Sequence, residues 1–281
     1  MKAGFNLLLW TTHVTDALLP QLEQLKAAGY DGVEVPIFQG DAAQYRRLAR
    51  QLGDIGLAST VVAIVQDEAR NPISADPDHA AAGVDYLKWL VDCSVALGAE
   101  VLCGPFYQPL AQFSGTGPSA AEWARLVASQ RAMAEHARDT GLVLAVEPLN
   151  RFECYALNTA EAAARLVAEV DVPGYGWTYD SFHANIEERD PAGVIADHGD
   201  GIRHVHISEN DRGIPGRGHV DFAPVFAALA QRGYDGWLTV EAFGHALPDI
   251  AAATKVWRPL FDSEESVYRE ALALIRAGGA K

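Results

Sequence analysis

Short apolar runs alternate with helix-like stretches eight times along this 281-residue chain, and few folds accept that alternation. The runs lie at about 3–10, 32–37, 57–65, 101–106, 142–148, 175–180, 202–208 and 237–243. Each is nearly continuous in apolar or β-branched residues, as parallel strands buried on both faces require. Between them the apolar residues take helical spacing. Leu18, Leu22, Leu25 and Ala28 share one face, and Tyr45, Leu48, Leu52 and Ile55 share another. Strand then helix, repeated eight times at this length, is the pattern of a (β/α)₈ barrel. The expectation is an α/β protein, one TIM barrel forming a single domain over 1–281.

Punctuation points the same way. Gly29, Gly56, Gly98, Gly141 and Gly233 each stand where a helix should stop before the next strand. Glycine takes the left-handed backbone that ends a helix. The segments AAGYDG, ending at Gly32, and QRGYDG, ending at Gly236, read as one helix-to-strand turn used twice. The longer irregular stretches, at about 66–78, 107–119, 209–220 and 244–262, each follow a strand and should lie on one face of the barrel. Tyr107, Phe113, Trp257 and Phe261 in two of them are expected to form walls or lids that exclude water.

Four side chains end four consecutive expected strands: Glu147, Asp180, His206 and Glu241, spaced 33, 26 and 35 residues apart. In a barrel, the C-terminal ends of the strands converge on one face. Three carboxylates gathered there repel one another unless a divalent cation holds them. Each residue also has an ordinary reading. Glu147 could pair with an arginine, Asp180 could cap the next helix, and His206 could be a hydrogen-bonded core residue. His204 lies beside His206 on the seventh strand, and one of the two is expected to face the interior and the other the helices. Four such residues at matching strand ends favour the metal reading. Three oxygens and one nitrogen, with no sulfur, suit Mn²⁺ foremost, and Co²⁺ or Mg²⁺, better than a closed structural zinc site.

Composition narrows the class of partner. The net charge of −15 disfavours nucleic acid, because phosphates would be repelled. Three cysteines at unrelated spacings, Cys93, Cys103 and Cys154, argue against a disulfide framework and for a reducing, cytoplasmic setting. There is no leader-like N-terminal segment, and no apolar run long enough to cross a bilayer, so no membrane partner is expected.

The second half also carries a resemblance. EPLNRFE from Glu147, DSFHANIEE from Asp180, HISENDRGIPGRG from His206, EAF from Glu241 and KVWR from Lys255 resemble motifs of the D-tagatose 3-epimerase / D-psicose 3-epimerase family of ketose 3-epimerases. That family is a branch of the xylose-isomerase-like barrels. The likeness is specific in the second half and vague before residue 100. Asn210 and Asp211 shift or replace one family asparagine. Family aromatics near the positions of Asn6 and of His13 or Val14 are missing, which leaves the distal pocket unassigned, with Trp10 a candidate for its entrance.

The resemblance implies that Glu147, Asp180, His206 and Glu241 ligate the metal and that Glu147 and Glu241 are also the catalytic acid/base pair. It further implies that Glu153, His183 and Arg212 bind substrate oxygens. The implied partner is a free ketose, and the implied assembly a homodimer or homotetramer. Epimerisation at C3 removes the proton beside the C2 carbonyl and returns one to the opposite face, which calls for two proton-transfer groups and stabilisation of an enediolate. Competing readings within the same barrel group are a hydroxypyruvate or other aldose–ketose isomerase and an inosose-type dehydratase. Outside that activity class stand a metal-dependent phosphodiesterase, which would want more histidines and a basic surface, and a non-catalytic sugar-binding barrel. Arg212 and Arg217 flanking a glycine-rich loop leave a phosphorylated sugar open as a weaker reading.

Overall fold

The computed structural model describes residues 1–279. Eight parallel strands close on themselves: β1 (Lys2–Asn6), β2 (Gly32–Pro36), β3 (Ala58–Val62), β4 (Val101–Gly104), β5 (Val143–Val146), β6 (Tyr175–Asp180), β7 (Ile202–Ile207) and β8 (Trp237–Val240). They pair in sequence order, and β8 returns to pair with β1. Every strand therefore has two neighbours, and the barrel has no open edge.

Ten α-helices lie among the described residues. They are α1 (Leu19–Ala28), α2 (Ala42–Ile55), α3 (Pro77–Leu97), α4 (Ala120–Ala137), α5 (Ala160–Val170), α6 (Ser181–Glu187), α7 (Gly193–His198), α8 (Phe222–Gln231), α9 (Pro248–Thr254) and α10 (Glu264–Ala277). Their starts follow local chemistry. Asp41 caps α2 through Ala43 N and Gln44 N, and Ser119 and Glu122 form a reciprocal capping box on α4. Gly29, Gly56 and Gly98 take left-handed backbone and stop α1, α2 and α3, while Gly141 and Gly233 turn the chain just past α4 and α8. Leu22, Leu25, Leu87, Leu90, Leu126, Leu166, Leu229 and Ile275 are buried between helices and barrel.

The repeated GYDG turns flank β1. Asp31 exchanges backbone and side-chain bonds with Ala3 on one side, and Gly236 O accepts from Lys2 N on the other. One local solution therefore serves both seams of the first strand.

The strands stop earlier than the apolar runs. β1 ends at Asn6, whose side-chain oxygen accepts from Leu8 N at 2.9 Å and turns Leu7–Leu9 into a short 3₁₀ segment. After β5 and β8 the chain leaves the sheet by one more ladder-type bond. Glu147 N donates to Gly104 O at 3.0 Å, and Glu241 N donates to Ile207 O at 3.1 Å. Gly104 must be glycine for this, since it holds φ +123° and a Cβ there would collide with the Ala63 carbonyl oxygen.

One expected wall residue is not a wall. Tyr107 is fully buried, with its hydroxyl donating to Leu157 O at 3.1 Å, so its bulk and its one polar atom are both satisfied in the core. Phe113 and Trp257 are exposed, and the ring of Phe261 lies against Gly244. Trp10 packs on Phe5, ring centroids 5.0 Å apart. No helix among the described residues is long and apolar enough to cross a membrane.

Candidate metal centre

β5 to β8 bring Glu147, Asp180, His206 and Glu241 together. One ligand atom from each lies within 4.8 Å of the others, and each residue is 5 % exposed or less. The Nδ1 atom of His206 stands 3.0 Å from Glu147 Oε1, 3.5 Å from Asp180 Oδ2 and 3.7 Å from Glu241 Oε1. The four donors thus surround one small volume. Three buried carboxylates and an imidazole are a donor set that a divalent cation fits, and the charge of such an ion offsets their repulsion.

Asp180 resolves its two readings by dividing them between its oxygens. Oδ1 accepts from Phe182 N at 2.6 Å and caps α6, while Oδ2 faces His206 and Arg212. Glu147 pairs with the imidazole of His206, not with an arginine.

His204 and His206 do not face opposite ways. Residues two apart on a strand point to the same side, and both rings lie inside the barrel against Glu34 of β2. His206 Nε2 is 2.9 Å from Glu34 Oε1. His204 Nε2 is 2.8 Å from Glu34 Oε2, at ion-pair distance but without hydrogen-bond alignment. Thr60 Oγ1 donates to Glu34 Oε2 at 3.0 Å, Asn6 Nδ2 donates to Oε1 at 3.0 Å, and the Cys103 thiol lies 3.1 Å from Oε2. Glu34, Cys103, His204 and His206 form a second cluster with metal-ligand chemistry. Glu34, Cys103 and His204 are fully enclosed; Glu34 is satisfied by its neighbours, while neither ring nitrogen of His204 has an aligned hydrogen-bond partner. The outer group lies at the C-terminal ends of β5 to β8, the face on which barrels of this kind build their active sites.

Electrostatics follow from this packing. Burial pushes the Glu34 carboxyl up, but the imidazoles of His206 and His204 outweigh it and hold Glu34 well below the usual carboxylate range. Burial pushes His206 down, while Glu34, Glu147 and Glu241 outweigh it and raise His206 well above the ordinary histidine value. Glu241 goes the other way. Burial lifts it to about 8, against the pull of His206 and Arg212 and with help from Asp180 and Glu147.

Arg212, Glu153 and His183 join the same site. Arg212 is buried, and its Nη1 lies 2.6 Å from Glu241 Oε2, 3.4 Å from Asp180 Oδ2 and 3.0 Å from Ser208 Oγ. Its guanidinium stacks 3.7 Å from the centroid of Phe182. It is not a solvated loop residue, although its backbone sits at φ +66°, a conformation costing a non-glycine residue about 1–3 kcal/mol. The 209–220 loop supports that strain through Glu209. This buried carboxylate accepts from Asn210 N, Val220 N and Gly216 N at 2.9–3.0 Å. Asn210 and Asp211 also brace the loop, accepting from His219 N and Gly213 N at 2.9 Å, and Asp211 Oδ2 lies 3.7 Å from Arg258 Nη2.

His183 Nδ1 accepts from Asn150 N at 3.0 Å, and its Nε2 lies 3.1 Å from Arg212 Nη2. Burial holds its pKa below the ordinary value despite Asp180 nearby. Glu153 Oε1 accepts from Asn150 Nδ2 at 2.8 Å and lies 4.0 Å from Arg212 Nη2.

Sequence reading missed Glu34, Asn6, His204 and Cys103 as parts of the site. Glu34 carries the signal that found Glu147: an acid within a continuous apolar strand. Asn6 carries none, since one amide at a strand end has many ordinary uses.

Comparison with known proteins agrees with this geometry. The family model described as xylose isomerase-like TIM barrel matches residues 22–277. The chain is 33 % identical over 279 residues to a ketose 3-epimerase of Arthrobacter globiformis, covering 98 % of this chain and 96 % of that one. It is 31 % identical over 284 residues to a D-psicose 3-epimerase of Ruminiclostridium cellulolyticum, covering 98 % and 96 %. The crystal structure of a D-allulose 3-epimerase from Methylomonas sp. in complex with D-allulose superposes with a TM-score of 0.91 at 31 % identity, covering 99 % of this chain and 96 % of that one.

Proposed function

Since this chain belongs to the ketose 3-epimerases of the xylose isomerase-like TIM-barrel family, we propose that it is a metal-dependent isomerase that inverts C3 of a free ketohexose or ketopentose. The observation carrying this reading is the buried group of Glu147, Asp180, His206 and Glu241, with carboxylates arriving from well-separated strands. These four would hold the cation, with Mn²⁺ the first expectation and Co²⁺ or Mg²⁺ behind it. A bound divalent cation supplies Lewis-acid stabilisation of negative charge developing on oxygen.

The chain's own residues do the proton work. Glu147 follows β5 and Glu241 follows β8, so the two carboxylates enter from different sides of the barrel. One removes the C3 proton. The electron pair of that C–H bond becomes the C2–C3 double bond, and the C2 oxygen takes the charge. The other carboxyl returns a proton to C3 on the opposite face, and the C2 carbonyl re-forms. The back reaction exchanges the two roles, and each positioned acid or base contributes about 10²–10⁴ in rate.

Arg212 and His183 receive the carbonyl end. Because His183 Nδ1 accepts from Asn150, its neutral ring carries the N–H on Nε2, facing the Arg212 guanidinium. A substrate acceptor oxygen placed beside both nitrogens would take a hydrogen bond from each. Glu153 keeps its second oxygen for a substrate hydroxyl. The dense carboxylate set around Arg212 favours a free sugar over a phosphorylated one, because a phosphate would meet the same negative charge.

The test is a ketose panel of D-fructose, D-tagatose and L-ribulose, incubated with EDTA-stripped protein reconstituted with Mn²⁺. C3 epimers are expected, with no conversion before metal is restored. Formation of only aldoses or dehydrated products rejects the epimerase reading in favour of the isomerase or dehydratase. We also propose a single domain, a cytoplasmic setting consistent with three buried free thiols, and a homodimer or homotetramer. Phe152 and Trp257, each 72 % exposed, offer apolar surface for such contacts, and light scattering decides the assembly.

A further inference from the structure

We propose that Glu34 and Asn6 are a positioning pair beneath the metal centre: Glu34 holds His206 with Nδ1 turned to the cation site, and Asn6 holds Glu241. This deepens the metal reading above and rests on it. Asn6 and Glu34 are direct neighbours in the β1–β2 register, so their side chains rise together inside the barrel. His206 has two ring nitrogens and only Nδ1 faces the three carboxylates. Its Nε2 is 2.9 Å from Glu34 Oε1, so an Nε2–H donated there leaves the Nδ1 lone pair free to ligate. Thr60 and the Cys103 thiol occupy the other oxygen, so the Glu34 carboxylate cannot turn away.

Asn6 completes the link. Its Oδ1 accepts from Leu8 N at 2.9 Å, which fixes which way the amide points. The NH₂ then donates to Glu34 Oε1 and to Glu241 Oε1, each at 3.0 Å. One buried carboxylate thereby sets the orientation of a metal ligand directly and of a catalytic carboxyl through one amide. Glu34 is not one of the four outer donors.

The experiment is Mn²⁺ binding to EDTA-stripped protein, read by calorimetry and by the electron paramagnetic resonance of free Mn²⁺, with melting measured with and without metal. Glu34→Gln keeps the shape but loses the charge, and is expected to weaken the Mn²⁺ Kd about 10–100-fold. Its melting temperature should fall more with metal than without. Asn6→Ala leaves the His206–Glu34 bond in place and should weaken binding less, while kcat at saturating Mn²⁺ falls and KM stays. A Kd within about threefold of wild type in folded Glu34→Gln overturns the proposal. If that variant does not fold, Glu34→Asp, which withdraws the carboxylate by one methylene, decides on the same threshold. Failure of both to fold assigns Glu34 to folding and overturns it too. Wild-type protein that binds no Mn²⁺, Co²⁺ or Mg²⁺ would instead sink the metal reading itself.

Discussion

At the residue scale, the site is a problem of buried charge. Glu147, Asp180 and Glu241 share one enclosed volume with His206 and Arg212. Replacing either proposed proton-transfer group, as Glu147→Gln or Glu241→Gln, keeps the shape and removes the carboxylate. A fall of at least about 10³ in kcat is expected in a variant that still folds, and near wild-type turnover would reject the two-base mechanism. Glu241 also predicts a pH effect. Burial raises it from its ordinary 4.5 to about 8, so between those values the folded metal-free protein holds a proton that the unfolded chain has lost. This group's contribution to metal-free stability is therefore greatest below about 4.5 and declines as pH rises through about 8. His206, raised by its carboxylate neighbours, acts with the same sign. A cation displaces these protons, so Mn²⁺ affinity should rise with pH as Glu241 and His206 lose them. Calorimetry in buffers of different ionisation enthalpy measures this; no proton release at neutral pH would contradict it.

At the scale of elements, strand ends and one loop do the positioning. Glu147 is set by its bond to Gly104 O, and Gly104 lies where no side chain fits. Gly104→Ala should cost at least about 2 kcal/mol in urea unfolding, from the left-handed backbone and the crowded Ala63 carbonyl together, and should lower kcat by moving Glu147. The 209–220 loop depends on Glu209 in the same way. Glu209→Ala leaves three backbone N–H groups without their acceptor, and a loss of about 3 kcal/mol is expected. Because Arg212 loses its support, KM should rise more than kcat falls in steady-state assays. The strand positions were legible from the apolar runs, and Glu147, Asp180, His206 and Glu241 from their place at the run ends. The loop's internal bonding was not, since a buried Glu in a glycine-rich segment reads as an ordinary surface charge until the turn is seen.

At the scale of the molecule, closure joins the two ends of the chain. β8 pairs with β1, and Asp31 and Gly236 bond the first strand from either side. Unfolding should therefore be one cooperative transition, and two separated transitions in calorimetry would argue against a single domain. Metal binding selects the folded state. At a free Mn²⁺ concentration of 100 Kd the stabilisation is about 2.7 kcal/mol, so EDTA should lower the melting temperature by roughly 5 °C. No shift on chelation would mean that no cation binds the folded state.

The order of strands and helices, the residues that end the strands and the family motifs of the second half were all written in local pattern: apolar period, glycine stops and the cost of an acid in an apolar run. Which of those groups touch was decided only when the barrel closed. Glu34 meets His206 across 172 positions of the chain and Asn6 meets Glu241 across 235. A strand's period says which side a residue faces, and it places both His204 and His206 inside. It carries no information about what waits there, because the partners come from other strands whose register is set by the packing of the whole.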